Sequence, residues 1–212
     1  KEYFSKNNTD ALCHIEDDWI YYDNKKLIKL SDIKLKGNHN YENVMAAVMV
    51  AKRLDTPDEV ICDTLKEFNG VEHRIEYVTN IDGVEIYNDS KSTNVKATQI
   101  ALSTFNKPTI LLLGGLDRKH SFEGLTEYMT NVKLIISFGE TKDRIKEYAD
   151  SINKDCIVVD NLKEATDTAL SKAVFGDVVL LSPACASWDQ FDSFEQRGEI
   201  FKSYINGGKN NE

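Results

Sequence analysis

The sequence predicts an α/β protein: a mostly parallel β-sheet covered by helices, preceded by a smaller mixed unit. Three observations support this. After Gly70, short apolar runs alternate repeatedly with amphipathic helical stretches, the pattern of strand–helix units. Polar or glycine-rich segments follow the strand candidates directly, at Asn88–Asn94, Gly114–Lys119, Ser137–Glu140 and Ser182–Asp189. Before Gly70 the periodicity differs, with short strand-like runs first and two helical patterns after them.

In chain order, Leu12–Ile15, Trp19–Tyr22 and, after an Asp23-Asn24 turn, Lys25–Leu30 read as a meander at a sheet edge. Gly37-Asn38-His39-Asn40 precedes a helix marked by Val44, Ala47, Val48, Ala51 and Leu54. A second helix begins near Pro57, with Thr56 as its cap and Pro57 in the first turn. It carries Val60, Ile61, Leu65 and Phe68 and ends at Asn69-Gly70. Glu76–Thr79 and Val84–Tyr87 form a hairpin around Asp82-Gly83, and a helix runs from Thr93 to about Phe105. Strands follow at Thr109–Leu113, Leu134–Phe138, Cys156–Val159 and Val178–Leu181. Helices are expected near Phe122–Thr130, Thr141–Ser151 and Leu162–Ala173, with the last from about Phe191 to Tyr204.

Composition narrows the function classes. The 212 residues suffice for one large or two small domains with a proper core. With 26 basic against 35 acidic side chains, the net charge is −9, and no basic run is interleaved with aromatic residues; a nucleic-acid partner is not expected. The longest apolar runs are too short to cross a bilayer and no signal-peptide pattern opens the chain, so a cytoplasmic protein without a membrane partner is expected. Cys13, Cys62, Cys156 and Cys185 show no Cys-x-x-Cys spacing, and His14, His39, His73 and His120 do not cluster. Free thiols and no protein-only metal site are expected.

The densest chemistry lies at residues 86–94, Ile-Tyr-Asn-Asp-Ser-Lys-Ser-Thr-Asn, where a strand pattern runs into Asp89, Ser90, Lys91, Ser92, Thr93 and Asn94. A strand end leading into a helix N-terminus favours anions, because unpaired backbone N–H groups and the helix dipole point there. The plainer alternative makes Ser92 or Thr93 an N-cap and Lys91 a solvated side chain. Gly114-Gly115 and Gly139 likewise fit simple tight turns. Neither a Gly-x-Gly-x-x-Gly fingerprint nor a Walker phosphate loop occurs in the chain.

A set of motifs in fixed order adds a family resemblance. Gly37-Asn38-His39-Asn40-Tyr41-Glu42-Asn43, His73-Arg74-Ile75-Glu76, Asn88-Asp89-Ser90-Lys91-Ser92-Thr93-Asn94 and Gly114-Gly115-Leu116-Asp117-Arg118 are followed by Ser182-Pro183-Ala184-Cys185-Ala186-Ser187-Trp188-Asp189 and Phe194-Glu195-Gln196-Arg197-Gly198. Together they resemble the Mur ligase family, and the Asn-Asp-Ser-Lys and Ser-Pro-Ala-Cys-Ala-Ser stretches resemble its D-glutamate-adding branch. The resemblance implies that residues 1–72 are the end of a central ATP-binding domain and residues 73–212 a Rossmann-like ligase domain. The family's glycine-rich phosphate loop and its carbamylated lysine near magnesium precede the stretch that this chain resembles. A fragment of a longer ligase is therefore implied, inactive by itself.

The implied chemistry is ATP-driven amide formation through an acyl phosphate, joining D-glutamate to UDP-N-acetylmuramoyl-L-alanine in peptidoglycan precursor synthesis, with ATP and Mg2+ bound mainly by the preceding part. By resemblance Asn40 and Asn43 contact the adenine, Arg74 the nucleotide phosphates and Asp89 the ribose, while Lys91 faces the transferring phosphoryl group as the catalytic residue. Asn40 as a mere helix cap remains the alternative for that position. Thr93, Ser187 and Phe194 are implied to hold D-glutamate together with a basic residue, Arg118 or its neighbour Lys119; the familiar pattern carries lysine where Arg118 falls. Completion of the site by domain closure about residues 71–76 and action as a monomer are further expectations. A different amide ligase of the superfamily, including the folylpolyglutamate type, and a non-catalytic α/β binding module remain the alternatives.

Overall fold

The computed structural model describes residues 2–35, 38–68 and 70–207, in two compact units, Lys1–Gly70 and Val71–Glu212. Gly37 and Asn69, read above as helix-flanking signals, lie outside the described residues, as do the side chains of Asn38 and His39.

In the first unit, β2 (Cys13–Glu16), β3 (Trp19–Tyr22) and β4 (Lys25–Lys29) form the expected antiparallel meander. Its two turns place Asp17-Asp18 and Asp23-Asn24 at positive φ, which short polar side chains tolerate best. A two-residue strand, β1 (Phe4–Ser5), adds parallel to β2 and carried no periodicity that would have revealed it. Helices α1 (Asn38–Arg53) and α2 (Asp58–Glu67) follow. Thr56 does not cap α2: Pro57 holds the cap position with extended backbone and no side-chain bond, and Asp58 and Glu59 meet the positive end of the helix instead. Ile20, Ile28, Ile33, Val44, Met45, Val48, Ile61 and Leu65 make this unit's core. Leu54 and Val60, assigned to apolar faces by spacing, are exposed.

The second unit has the expected mostly parallel sheet. Its strands are β5 (Glu76–Ile81), β6 (Val84–Asn88), β7 (Thr109–Gly114), β8 (Val132–Phe138), β9 (Cys156–Val158) and β10 (Val178–Leu181), in spatial order β5-β6-β10-β7-β8-β9. Only the β5–β6 hairpin is antiparallel. Strand alternation sorts the core into two layers. Leu111, Leu113, Val178 and Leu180 pack against α3 (Val95–Leu102) and α4 (Lys142–Ser151). Ile110, Leu112, Val179 and Leu181 pack on the other face against α5 (Leu162–Lys172) and α6 (Phe194–Gly207).

Three helix boundaries differ from expectation. Asn94 rather than Thr93 caps α3, its side chain accepting from Ala97 N–H, and the helix stops at Leu102, where the Ser103 and Thr104 hydroxyls bond back to helix carbonyls. The Phe122–Thr130 pattern forms a 3-10 helix over Glu123–Tyr128. The last helix starts at Phe194, because residues 187–191 are held in a turn by Ser187 O and because Ser193 Oγ accepts from Gln196 N–H while Gln196 accepts from Asp192 N–H. Among the described residues no helix is long and apolar enough to cross a membrane.

Candidate functional site

The spatial order of the strands decides which loops meet. β10 lies between β6 and β7, so the segments leaving their carboxyl ends are neighbours, where open α/β sheets bind ligands. Backbone bonding continues past the strands: Asp89 N–H donates to Leu181 O (2.7 Å), Gly114 N–H to Pro183 O (3.0 Å) and Leu116 N–H to Ala186 O (2.9 Å). Gly115 has φ +141, and a Cβ there would sit 2.4 Å from Ala186 O. The second glycine of the pair therefore permits this close approach rather than only a turn.

A pocket of about 220 Å³ opens at the β6 end, lined by Arg74, Asp89, Lys91, Ser92, Asn94 and Lys96 with apolar neighbours. Three of its six polar lining residues are cations, and Asp89 is its single acid. Asp89 is 1% exposed: Oδ1 accepts from Ile75 N–H (3.1 Å) and Oδ2 from the Ser182 (2.7 Å) and Ser92 hydroxyls. Burial pushes its carboxyl up to about 6, a rise that these hydrogen bonds and Arg74 oppose. The carboxylate expected to meet a ribose thus already serves three protein donors. Residues 73–75 are held against this turn from the other side, where Lys91 N–H donates to His73 O (3.0 Å). His73 and Ile75 both adopt positive φ, which turns the chain so that Arg74 faces the pocket. Lys91 is exposed, and its ammonium lies 5.3 Å from the centroid of the Phe194 ring.

Thr93 is half-buried beyond Lys91, and Phe194 is half-buried with its carbonyl accepting from Ser90 Oγ (2.7 Å). Ser187 is 2% exposed at the end of the β10 segment. On the β7 segment the cations separate clearly. Lys119 pairs with Asp117 (2.7 Å), and Arg144 also bonds Asp117 (2.5 Å). Arg118 has no acidic partner among the described residues; its guanidinium lies 4.8 Å over the Trp188 ring. The expected contacts Thr93, Arg118, Ser187 and Phe194 thus lie on adjacent segments or at the start of α6. Asn40 and Asn43 belong to the first unit, the former half-buried and the latter exposed, in the first turns of α1.

Sequence reasoning gave no role to Arg197, which underlies the whole site. It is fully buried; Nε donates to Ser90 Oγ (3.0 Å), and Nη2 donates to the carbonyls of Ser90 (2.9 Å) and Cys185 (3.0 Å). Burial lowers its pKa to about 10, so it stays charged near neutrality. It therefore ties the β6 loop to the β10 loop. Its neighbour Gly198 faces His73, and a Cβ there would fall 2.3 Å from His73 Nδ1. The signal was the Phe-Glu-Gln-Arg-Gly string itself, which places an arginine and a glycine on the inner face of α6.

Glu72, His73 and Glu199 offer ligand atoms within 4.8 Å of one another. The Lys202 ammonium already bonds Glu72 (2.5 Å), Glu199 (2.8 Å) and Glu76 (3.2 Å), supplying the cation that this acidic cluster needs. No metal site is assigned to it.

The sequence profile described as Mur ligase, glutamate ligase domain matches residues 73–185. UDP-N-acetylmuramoylalanine–D-glutamate ligase from Bacillus cereus is 50% identical over 198 residues, 93% of this chain and 44% of that protein. Its counterpart from Bacillus anthracis is 48% identical over the same shares. The chain thus spans less than half the length of the curated relatives it matches. Among solved structures, UDP-N-acetylmuramate-alanine ligase from Thermotoga maritima has a TM-score of 0.67 at 16% identity, covering 90% of this chain and 43% of its own. A MurF ligase from Thermotoga maritima in complex with ADP has a TM-score of 0.57 at 16% identity, covering 92% and 46%. At these identities the shared property is the fold. With the profile matching over the loops that build the pocket, the chain belongs to the Mur ligase family through its glutamate ligase domain.

Proposed function

We propose that this chain is the carboxyl-terminal part of the ATP-dependent ligase that adds D-glutamate to UDP-N-acetylmuramoyl-L-alanine in peptidoglycan precursor synthesis. The observation that carries the proposal is the 50% identity across 93% of the chain to a ligase named for that reaction. The cation-lined pocket beside Lys91 supports it. Four free cysteines, Cys13 and Cys185 fully buried, fit a reducing cytoplasm.

In this reading the carboxylate of the nucleotide-linked alanine takes the γ-phosphoryl group of ATP, and the amine of D-glutamate attacks the resulting acyl phosphate to give the amide, ADP and phosphate. Such a transfer is promoted chiefly by positioning and charge. Arg74 serves the nucleotide phosphates with its fork of donors, and Lys91 faces the phosphoryl group in flight. Asp89 contributes to the ribose end through the loop that it pins. Thr93, Ser187, Phe194 and Arg118 hold the carboxylates of D-glutamate, while Asn40 and Asn43 meet the adenine. Lys119 is the weaker choice for the carboxylate because Asp117 already neutralises it. Magnesium would be expected to accompany ATP, but the pocket's one acid has its oxygens engaged by protein donors. These residues do not supply a magnesium site.

The test is amino-acid-dependent ADP release by the full-length protein, with D-glutamate compared against L-glutamate, lysine and diaminopimelate. D-glutamate alone should support turnover, whereas the isolated 212-residue chain should release no ADP. Ser187→Ala should weaken D-glutamate by about 1.5–3 kcal/mol and leave ATP nearly unaffected. Lys91→Ala should chiefly lower kcat. If Ser187→Ala raises KM for ATP and spares that for D-glutamate, the pocket is misassigned.

A further inference from the structure

Arg118 and Trp188 meet because two neighbouring strand ends share a register. After the last inter-segment bond, Leu116 N–H to Ala186 O, two further residues on each segment bring Arg118 and Trp188 together. The contact is a cation–π one, with the guanidinium carbon over the Trp188 ring and 4.8 Å from its centroid. Trp188 is 64% exposed although the residue before it, Ser187, is buried, so its ring is not held there by the core. Among the described residues Arg118 is also the cation of its loop left without an acid, since Lys119 and Arg144 share Asp117. Stacking occupies the flat face of a guanidinium and leaves its in-plane N–H donors open.

We infer that Trp188 is a positioning residue for the amino-acid pocket: by holding Arg118 flat, it presents the arginine's in-plane donors to a substrate carboxylate beside Ser187. This rests on the reading of Arg118 given above. An exposed arginine otherwise loses much side-chain freedom on binding, and stacking it beforehand removes part of that cost. The pairing also suits arginine at position 118, because a point-charge ammonium cannot both stack and fork.

Steady-state kinetics of the full-length protein test this. Trp188→Ala should raise KM for D-glutamate roughly two- to fivefold, the range of an exposed cation–π contact. KM for ATP and the thermal midpoint should stay unchanged, and Trp188→Phe should recover most of the loss. In an Arg118→Ala background, Trp188→Ala should add nothing, because the contact is already gone. An unaltered KM for D-glutamate in Trp188→Ala, or an equal loss in both backgrounds, overturns the inference while leaving the functional reading standing. Absence of D-glutamate-dependent turnover in the unaltered protein overturns that reading and this inference with it.

Discussion

Replacing Gly198 by alanine sets two effects of opposite sign against each other. In an exposed helix interior the change favours folding by about 1 kcal/mol. In α6 the new Cβ would lie 2.3 Å from His73 Nδ1, 2.9 Å from its Cε1 and 3.0 Å from Asn88 Nδ2. The imidazole has no retreat: it is 4% exposed, accepts from Asn88 Nδ2 at 3.0 Å and meets the Phe194 ring edge-on at 6.2 Å. Its backbone is already left-handed, with φ +63. Overpacking of this kind costs about 1–3 kcal/mol, and losing the buried His73–Asn88 bond costs about 1 kcal/mol more. After the helix gain, a net destabilisation of about 1–3 kcal/mol is expected. Urea unfolding of the chain by circular dichroism, with hydrogen exchange of α6 amides to isolate the second unit, measures it. The same variant should lower turnover in the full-length protein, since His73 O fixes the Lys91 amide and Arg74 is the next residue. An alanine variant as stable as the parent, or more so, would refute the argument that Gly198 exists to admit His73.

Two further outcomes follow from the buried charges. Because burial raises the Asp89 carboxyl to about 6 from 3.8, its contribution to stability is full below pH 3.8 and is lost as pH rises through 6, a deficit of ~3 kcal/mol by pH 8. The stability of Asp89→Asn relative to the parent should therefore rise between pH 4 and pH 8, and a difference constant with pH in chemical denaturation would contradict this. Arg197→Lys keeps the charge but cannot serve Ser90 Oγ, Ser90 O and Cys185 O from one forked group. It should cost about 2–4 kcal/mol in unfolding free energy, and a loss below 1 kcal/mol would show that the arginine's geometry is dispensable.

The parallel strands were legible because their apolar runs have no competing pattern: β10 falls at Val178–Leu181 as the sequence indicates. Boundaries set by single hydrogen bonds were not. Whether Thr93 or Asn94 caps α3 depends on which side chain reaches Ala97 N–H, and adjacent polar residues look alike in sequence. The 3-10 turn at Glu123–Tyr128 kept a helical spacing because buried Phe122 and Leu125 are three residues apart, a separation that both kinds of helix place on one side. For the site, the polar motif segments are visible directly in the sequence, and the structure sets those that follow β6, β7 and β10 side by side. Arg197 was not legible as a strut, because arginine on a helix is ordinarily solvated and only the fold shows that residue to be fully buried. The Arg118–Trp188 contact depends on the β7–β10 register, which pairs residues about seventy positions apart.

That register has a consequence for the order of events during folding. β10 is the last strand in the sequence, yet it occupies the middle of the sheet, paired with β6 on one side and β7 on the other. Until it inserts, β6 and β7 have no common neighbour and their loops remain separate ends on a split ribbon. The entropy of closing so long a loop falls due at this step, which weighs against early docking of β10. A growing chain therefore displays hydrophobic strand edges while β10 is still within the ribosome, and the bond from Ser182 to Asp89 at the pocket floor forms only as that gap is filled.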